Sequence, residues 1–509
     1  MKPCILFHTA IFTALSRCLG AAAEPDSQPK WPLQSFKSTP LQAPYMNVTK
    51  YGKTDLGYLF ISPHDILRET GHPTIYADDG QLVWQGPQMN ISAYQPQMLD
   101  GEPVLAYWNG YLFSGFGFGG ISIVNSSYDE IYRVTLPGED QKFSTVADPQ
   151  TFESYIDIHE SQITDEGTIL VTAVNITQMD LSSIGGPKDG FVQDGLFYEI
   201  DIKTNKVLFR WSTVEHLSEI PLSDIVLPLN DAGRNKTEPF EYPHLNSIAK
   251  YGDSYLVSSR FMCSLFFIDK NGTVTWHLHG QKGGSFTLSP GSNFCYQHDA
   301  RFTSQTDKKI TLQLHNNANA DFTSDTELTT GLILSLDLTQ HTASAVQRFW
   351  DAEEPVFAHS QGSYQTLSNG HVLLQHGATP KVEEYDEEGA LVMRARFGFD
   401  EAMQSYRGYR FPWIGRPRSV PDVAACVEKG KGKGKTVVYV SWNGATDVQS
   451  WRVMAGQESG GFRVVETVPR NGFETEIRLG ATLKKVLVEA VGGVGDGRKS
   501  EVVTVGDAC

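Results

Sequence analysis

The sequence predicts an all-β protein, a six-bladed β-propeller followed by a smaller immunoglobulin- or fibronectin-like β-sandwich. Three observations lead there: one hairpin pattern recurs along most of the chain, no long amphipathic run keeps the helical period, and the character of the chain changes after Pro417. Short strands repeated around polar turns mark architectures in which each copy covers its hydrophobic face with the next copy, since one unit alone cannot bury it.

The repeated unit is a strand, an Asp or polar turn often carrying Gly, and a second strand often ending on an aromatic residue. The first copy runs from Thr74 through Asp78-Asp79-Gly80 to Trp84, and a more divergent second from Ile121 through Asp129 to Val134. The third spans Leu196 through Asp201 to Trp211. The fourth is the clearest, with Leu265 to Ile268, the turn Asp269-Lys270-Asn271-Gly272, and Thr273 to Trp276. The fifth extends from Leu332 through Asp337 to Trp350, and the sixth from Lys381 through Asp386 and Gly389 to Phe397. Another strand pair precedes most copies, opening on turns such as Asp165-Glu166-Gly167 and Ser368-Asn369-Gly370, so each unit supplies about four strands, the content of a propeller blade. Uneven spacing places insertions between units, the largest from Glu219 to Pro243. The competing architectures are a pair of β-sandwiches and an irregular β protein, either with chance hairpin similarity.

Beyond Pro417, short strands at Val437 to Trp442, Trp451 to Met454, Lys485 to Ala490 and Glu501 to Val505 follow Cys426 and the Lys-Gly run from Lys429 to Lys435, which reads as a solvated hairpin tip. The expected division is a signal peptide over 1–23, an N-terminal extension over 24–50, the propeller over 51–417 and the sandwich over 418–509.

A chain of 509 residues with 40% hydrophobic and 20% charged residues buries a large core. Its net charge of −17 excludes nucleic acid and anionic membrane surfaces as partners, because both require a basic footprint. Lys2, the apolar run Ile5 to Leu15 and Ala21-Ala22-Ala23 compose a secretory signal with a small-residue cleavage site; a buried N-terminal helix is the alternative. No later stretch is long and apolar enough to span a bilayer. The expected location is extracellular. Asn-x-Ser/Thr sequons at Asn47, Asn90, Asn125, Asn175, Asn235 and Asn271 agree with secretion. Removing the signal leaves Cys263, Cys295, Cys426 and Cys509. Three connectivities are open to them, and Cys263–Cys295 with Cys426–Cys509 is expected because each pair then lies within one domain.

In a propeller the innermost strands converge on a central channel, so chemistry-bearing side chains there come from distant parts of the sequence. His159 in Asp157-Ile158-His159-Glu160, His244 in Pro243-His244-Leu245-Asn246 and His298 in Gln297-His298-Asp299 each stand beside the start of a blade strand, which would set three imidazoles around one axis. Asp157, Glu160 and Asp299 are expected to orient these imidazoles or cap turns. His277 and His279 share one face of a strand, a metal pair that lacks a third ligand. The run Gly115-Phe116-Gly117-Phe118-Gly119-Gly120 imitates a dinucleotide loop, but a strand follows it and it reads as a turn.

The segments around His159, around His244 with Asn246, Ser258-Ser259-Arg260, Gln297-His298-Asp299, Ser360 to Ser363 and Tyr406 to Trp413 resemble the fungal branch of the arylsulfotransferase family, over most of residues 55 to 509. The resemblance implies a PAPS-independent enzyme that moves a sulfuryl group from an aryl sulfate to a phenol through a histidine, with no cofactor and no metal. It implies His298 as nucleophile, with His159, His244, Asn246 and Arg260 holding the sulfuryl oxygens and assisting the leaving phenol. A planar, permanently charged guanidinium suits an oxyanion, and a neutral imidazole is a competent nucleophile near neutral pH. The chain departs from the family pattern at Leu314-His315-Asn316-Asn317, where an aspartate would precede the asparagine. The alternatives are a non-catalytic propeller that binds a ligand or partner, and a secondary-metabolite tailoring enzyme that reuses the channel. Donor, acceptor and oligomeric state are left open by the sequence.

Overall fold

The structure, a computed structural model, describes residues 30–66, 70–146, 151–323, 327–428, 434–456, 461–493 and 495–507. The expected signal over 1–23, Cys509 and Lys429 to Lys433 of the Lys-Gly run lie outside them. Among the described residues helix is confined to Gly138–Gln141 and short 3-10 turns, and no helix is long and apolar enough to cross a membrane.

The chain is all-β. Each of the six hairpins read in the sequence is an antiparallel strand pair: Thr74–Tyr76 with Leu82–Gln85, Phe116–Val124 with Glu130–Val134, Gly190–Asp201 with Val207–Ser212, Ser264–Ile268 with Val274–His279, Thr330–Asp337 with Thr342–Phe349, and Lys381–Tyr385 with Leu391–Arg396. The turn glycines carry the conformation these tight connections need, with φ of 85° at Gly80 and 89° at Gly272, a region that costs a side chain strain but glycine nothing.

Each hairpin extends inward into a meander, and the hydrophobic clusters lie between consecutive meanders. Phe60 and Ile75 pack with Tyr94 and Leu105; Trp108 and Ile121 with Ile169 and Leu196; Phe197 and Trp211 with Ile248 and Phe266. The series continues with Leu256 and Leu265 against Leu312 and Leu334, then Phe349 against Tyr364 and Leu374. It returns to its start where Leu373, Val382 and Met393 meet Leu59, Ile61 and Tyr76. Both ends of this circuit are tied by strands from far away in sequence: Gly408–Phe411 pairs with Tyr58–Ile61, and Asn47–Lys50 with Leu391–Arg396.

The last part of the chain forms a sheet of Asp422–Glu428, Lys435–Ser441 and Glu474–Arg478, and a second of Arg463–Pro469, Ser450–Gly456, Lys485–Val491 and Val503–Thr504. Val438, Val440 and Ile477 from the first share one core with Trp451, Val453, Val486 and Val488 from the second. Asn443 is fastened to the first hairpin by a reciprocal pair of hydrogen bonds with the Gln85 backbone, both 2.9 Å.

Cys263 and Cys295 form a disulfide across a separation of 32 residues. Cys426 is also disulfide-bonded. Because Cys263 lies three residues after Arg260 and Cys295 three before His298, the first bridge braces the two segments that carry these side chains. Cys263→Ser is expected to cost about 2–4 kcal/mol through the lost cross-link, read as a lower midpoint in urea unfolding; an unchanged midpoint would remove the bridge from the account of stability.

Candidate active site

The three histidines stand on neighbouring meanders, two at strand starts and one inside a strand. His298 opens the strand His298–Gln305 and lies opposite His315. His159 sits within Ile156–Ile163, where the register shifts between Ile156 and Ser161, and His244 immediately precedes Leu245–Tyr251. Arg260 follows Ser254–Ser259, and its backbone N–H donates to the His244 carbonyl at 3.0 Å. Left-handed φ values at His244, Cys263, Tyr296, Asp299 and Gln361 gather around this centre. Such conformations disfavour residues with side chains and persist where surrounding contacts determine them, often at functional sites.

The His159 and His244 rings meet edge to face with centroids 4.7 Å apart. Phe116 touches both, at 5.4 and 5.0 Å. Tyr406 lies between His159, at 5.7 Å, and His298, at 6.3 Å. The Arg260 guanidinium rests over Phe261 at 4.6 Å, and Phe261 in turn abuts His244. His298, His159, His244 and Arg260 are 2%, 3%, 6% and 9% exposed, so any charge developing among them is poorly screened by water. Arg260 Nη2 donates to the His359 carbonyl at 3.0 Å, while its buried Nε has no partner.

The imidazoles differ in what holds their Nδ1 atoms. His159 is hydrogen-bonded through Nδ1 to Asp157, and His244 through Nδ1 to Glu241. His298 Nδ1 instead faces the Asn317 amide oxygen at 2.8 Å and the Tyr296 carbonyl at 3.1 Å. Asn317 Nδ2 donates to the Gln361 and Ala358 carbonyls at 2.9 and 3.3 Å, which fixes the amide with its oxygen toward the ring. Both neighbours of His298 Nδ1 are acceptors, so Nδ1 carries the hydrogen. Nε2 therefore keeps its lone pair and accepts the Gln361 backbone N–H at 3.2 Å.

Burial, then the Arg260 charge, pushes the His298 imidazole well below its ordinary range and keeps it neutral. Burial, then His159 and Arg260, does the same at His244. Burial raises Glu241 to about 7, so one hydrogen lies between Glu241 and His244 rather than a separated ion pair. Tyr406 is pushed up by burial, and its hydroxyl has no partner.

Beside the imidazoles runs an ionic cluster in which Glu160, Asp299 and Arg407 are buried and Arg301 is partly buried. Glu160 receives Arg407 Nη1 on one carboxylate oxygen and Arg301 Nη1 on the other, each at 2.8 Å. Arg301 also pairs with Asp299 at 2.8 Å, and Arg407 Nη2 donates to the His159 and Asn246 carbonyls at 3.1 and 2.9 Å. The two guanidiniums overcome burial and hold Glu160 down at about 2. This cluster ties the strands bearing His159, Asn246, His298 and Gly408 to one another.

Measured against the sequence expectations, His159 and His244 are in contact, His298 joins them through Tyr406, and Arg260 joins through His244. Asn246 is buried beside them, but its Nδ2 donates to the Gln297 carbonyl at 2.7 Å and its remaining amide atom, Oδ1, is an unpartnered acceptor. Asp157 orients an imidazole as expected; Glu160 and Asp299 pair with arginines instead. His279 Nδ1 accepts the Gln281 backbone N–H at 3.1 Å, and no group of three metal-ligating side chains occurs among the described residues. Sequence reasoning missed Glu241, Arg301, Asn317, Tyr406 and Arg407. Of these Asn317 carried a signal at the strand where the chain departs from the pattern it otherwise resembles, and Tyr406 and Arg407 stood in the segment Tyr406 to Trp413 that carries the resemblance, without a role assigned to either.

The family model Arylsulfotransferase (ASST) matches residues 95–398, more than half of the chain, and the protein belongs to that family. The match contains His159, His244, Arg260 and His298 and ends before Tyr406. No curated protein matches the chain. Among solved structures it is similar to a protein of unknown function from Bacteroides caccae, at 14% identity and a TM-score of 0.37, covering 70% of this chain and 98% of that one. It is similar to apo AztD from Citrobacter koseri, at 11% identity and a TM-score of 0.30, covering 70% and 99%. A catalytically inactive virginiamycin B lyase from Staphylococcus aureus with quinupristin is similar at 9% identity and a TM-score of 0.28, covering 78% and 97%.

Proposed function

We propose that this protein is a secreted arylsulfotransferase of the fungal branch that carries a sulfuryl group from a phenolic sulfate ester to a phenolic acceptor on His298. The reading is supported above all by the unequal partnering of the three imidazoles. An amide oxygen holds the His298 Nδ1 hydrogen but is too weak a base to take it, so a sulfuryl group on Nε2 stays attached to a protonated, electron-poor ring and remains transferable. Carboxyl partners at His159 and His244 make those rings proton carriers instead.

In the first half-reaction the Nε2 lone pair attacks sulfur, the N–S bond forms, and the sulfur–oxygen bond to the aryl group breaks with its electron pair going to the phenolate. His159, or a neutral His244 resupplied through Nδ1 with the hydrogen it shares with Glu241, gives that oxygen its proton. In the second half the acceptor phenol loses its proton to the same imidazole, its oxygen attacks sulfur, and the N–S electron pair returns to Nε2. Arg260, with a free buried Nε, serves the sulfuryl oxygens, whose charge grows in both transition states. Asn246 takes a positioning role through Gln297.

We further assign the circuit of meanders over 51–417 as a six-bladed propeller, supported by its face-to-face cores, and residues 418–509 as a β-sandwich, with Cys426 bonded to Cys509. Asn47, Asn235 and Asn271 are exposed and suit glycosylation; Asn90, Asn125 and Asn175 are half-buried and suit it less.

Incubation with a chromogenic aryl sulfate and a phenol acceptor is expected to yield transfer, and mass spectrometry after donor alone an added sulfuryl group on the His298 peptide. No transfer, no hydrolysis and no adduct across a broad donor panel would overturn this function. Arg260→Lys keeps the charge but loses the planar fork, and kcat is expected to fall about 10²- to 10³-fold; a change confined to KM would reassign Arg260 to ground-state binding.

A further inference from the structure

His298 Nε2 and the Arg260 guanidinium are both occupied, and by the same piece of chain. The Gln361 backbone N–H donates to His298 Nε2 at 3.2 Å, and the His359 carbonyl accepts Arg260 Nη2 at 3.0 Å. Ser360 alone separates the two contacts in sequence. His298 and Arg260 are buried together with Tyr296, Asn317 and His244, which also bond to them, whereas His359, Ser360 and Gln361 are all partly exposed. Among the described hydrogen-bond partners of these two groups, this segment is the one that reaches the surface.

The segment is pinned at both ends, where Ala358 N–H donates to Thr329 Oγ1 at 2.8 Å and Gly362 N–H to the Tyr406 carbonyl at 3.0 Å. Between the pins its side chains reach outward to neighbours that are not part of the centre. His359 Nε2 meets Asp321 Oδ1 at 3.2 Å, and Gln361 Nε2 donates to Gln404 Oε1 at 3.0 Å. Gln361 has φ of 64°, a conformation that a residue with a side chain disfavours, so these contacts rather than intrinsic preference hold the segment down.

We propose that His359, Ser360 and Gln361 form a strap that fills the sulfuryl seat with its own backbone and sets the specificity of the site: an aryl oxyanion displaces it, and an uncharged phenol does not. This rests on the reading of His298 as the nucleophile and Arg260 as the holder of the sulfuryl oxygens. A lone pair that accepts the Gln361 N–H cannot attack sulfur until that hydrogen moves away. A sulfate ester offers a replacement for both strap contacts, because its charged oxygens bind a guanidinium more strongly than a neutral carbonyl does. A phenol brings no oxyanion to Arg260 and gains nothing by displacing the His359 carbonyl. A ligand shifts such an equilibrium only by its differential affinity for the two forms, and its apparent affinity is reduced by the fraction of chains whose strap is open. Loosening the strap without touching the centre therefore tightens the binding of an aryl oxyanion.

The test is calorimetric titration of the full chain with p-toluenesulfonate, whose sulfur–carbon bond does not transfer, and with p-cresol as its uncharged counterpart. His359→Ala keeps the carbonyl that meets Arg260 and removes the side chain that meets Asp321. The paired side chains are 38% and 65% exposed, and losing such a pair is expected to lower the sulfonate Kd about two- to fivefold. The sign is diagnostic. Asp321 already acts on Arg260 through its charge, so leaving it unpaired would on electrostatic grounds alone weaken the binding of an anion. Gln404→Ala releases the other side of the strap and is expected to act in the same direction. Amide exchange in the peptide spanning 357–362 is expected to be faster in both variants before any ligand is added. Exchange that does not rise, a sulfonate Kd that stays the same or increases where exchange has risen, or cresol that binds the wild type as tightly as the sulfonate overturns the proposal. Sulfonate affinity that rises as expected in a chain that transfers no sulfuryl group would sink the function and leave the strap standing. Efficient transfer with an unmoved sulfonate affinity would do the reverse.

Discussion

Replacing His298 with alanine is expected to lower kcat for sulfuryl transfer by about four orders of magnitude or more, while the aryl sulfate is still bound. A double displacement has no second route once its nucleophile is gone, and deletions of this kind in covalent catalysis leave only the assistance of the surrounding donors. The adduct on the His298 peptide disappears in the same variant. His298 is neutral through the neutral range because burial and Arg260 both oppose its protonation, so acid does not titrate the nucleophile away near the ordinary imidazole pKa. Transfer that survives the substitution at more than about a tenth of the wild-type rate would remove His298 from the covalent role and turn attention to His244.

The largest effect on stability is expected at Glu160, which no substrate need touch. Glu160→Ala leaves a buried Arg407 and a partly buried Arg301 with their principal counter-charge gone, and removing one partner from a buried ionic cluster costs about 3–5 kcal/mol. The expected result is a markedly lower unfolding midpoint, together with loss of activity, because Arg407 also holds the His159 and Asn246 carbonyls. A midpoint within about 0.5 kcal/mol of wild type would show that the cluster relaxes around the loss. The pH dependence has a definite sign. With a folded value near 2 against the ordinary 4.5, Glu160 contributes stability that is complete above 4.5 and is lost as pH falls toward 2. His298, His244 and His315 act in the same direction from higher pH: each is held below 6.5, so the unfolded chain takes up protons that the buried rings refuse, and acid favours unfolding from about that pH downward. In Glu160→Ala the lower part of this acid sensitivity is expected to disappear while the upper part remains.

The hairpins were legible because their information is local. An Asp or Asn with Gly between two apolar runs specifies a turn wherever it occurs, and Gly80 and Gly272 adopt the conformations only glycine takes freely. His244 and His298 were legible because each stands at the start of a strand, a position that can be counted; His159 was read the same way, and its strand begins earlier, at Ile156. Arg407 could not be counted in this way. It is separated from Glu160 by 247 residues, and the segment Tyr406 to Trp413, though it carries the resemblance, does not say which of its side chains goes to the centre. The same holds for Glu160 and Asp299: adjacency to a histidine suggested that they orient it, but neighbouring residues on a strand point to opposite faces, and their carboxylates turn away toward the arginines. Asn317 is the instructive intermediate case. Its segment stood out as a departure, yet its meaning depends on the Gln361 and Ala358 carbonyls that fix its amide, and those arrive from another meander.

The strand Gly408–Phe411 completes the sheet begun by Tyr58–Ile61, and Tyr406 and Arg407 come immediately before it. The three-histidine cluster is thus completed by residues from almost the end of the circuit. A nascent chain that has emerged only through the ASST-matched portion carries every one of the three histidines and yet has neither the aromatic ring that bridges them nor the guanidinium that clamps their strands. On the proposed function, a chain truncated before Tyr406 is therefore expected to transfer no sulfuryl group.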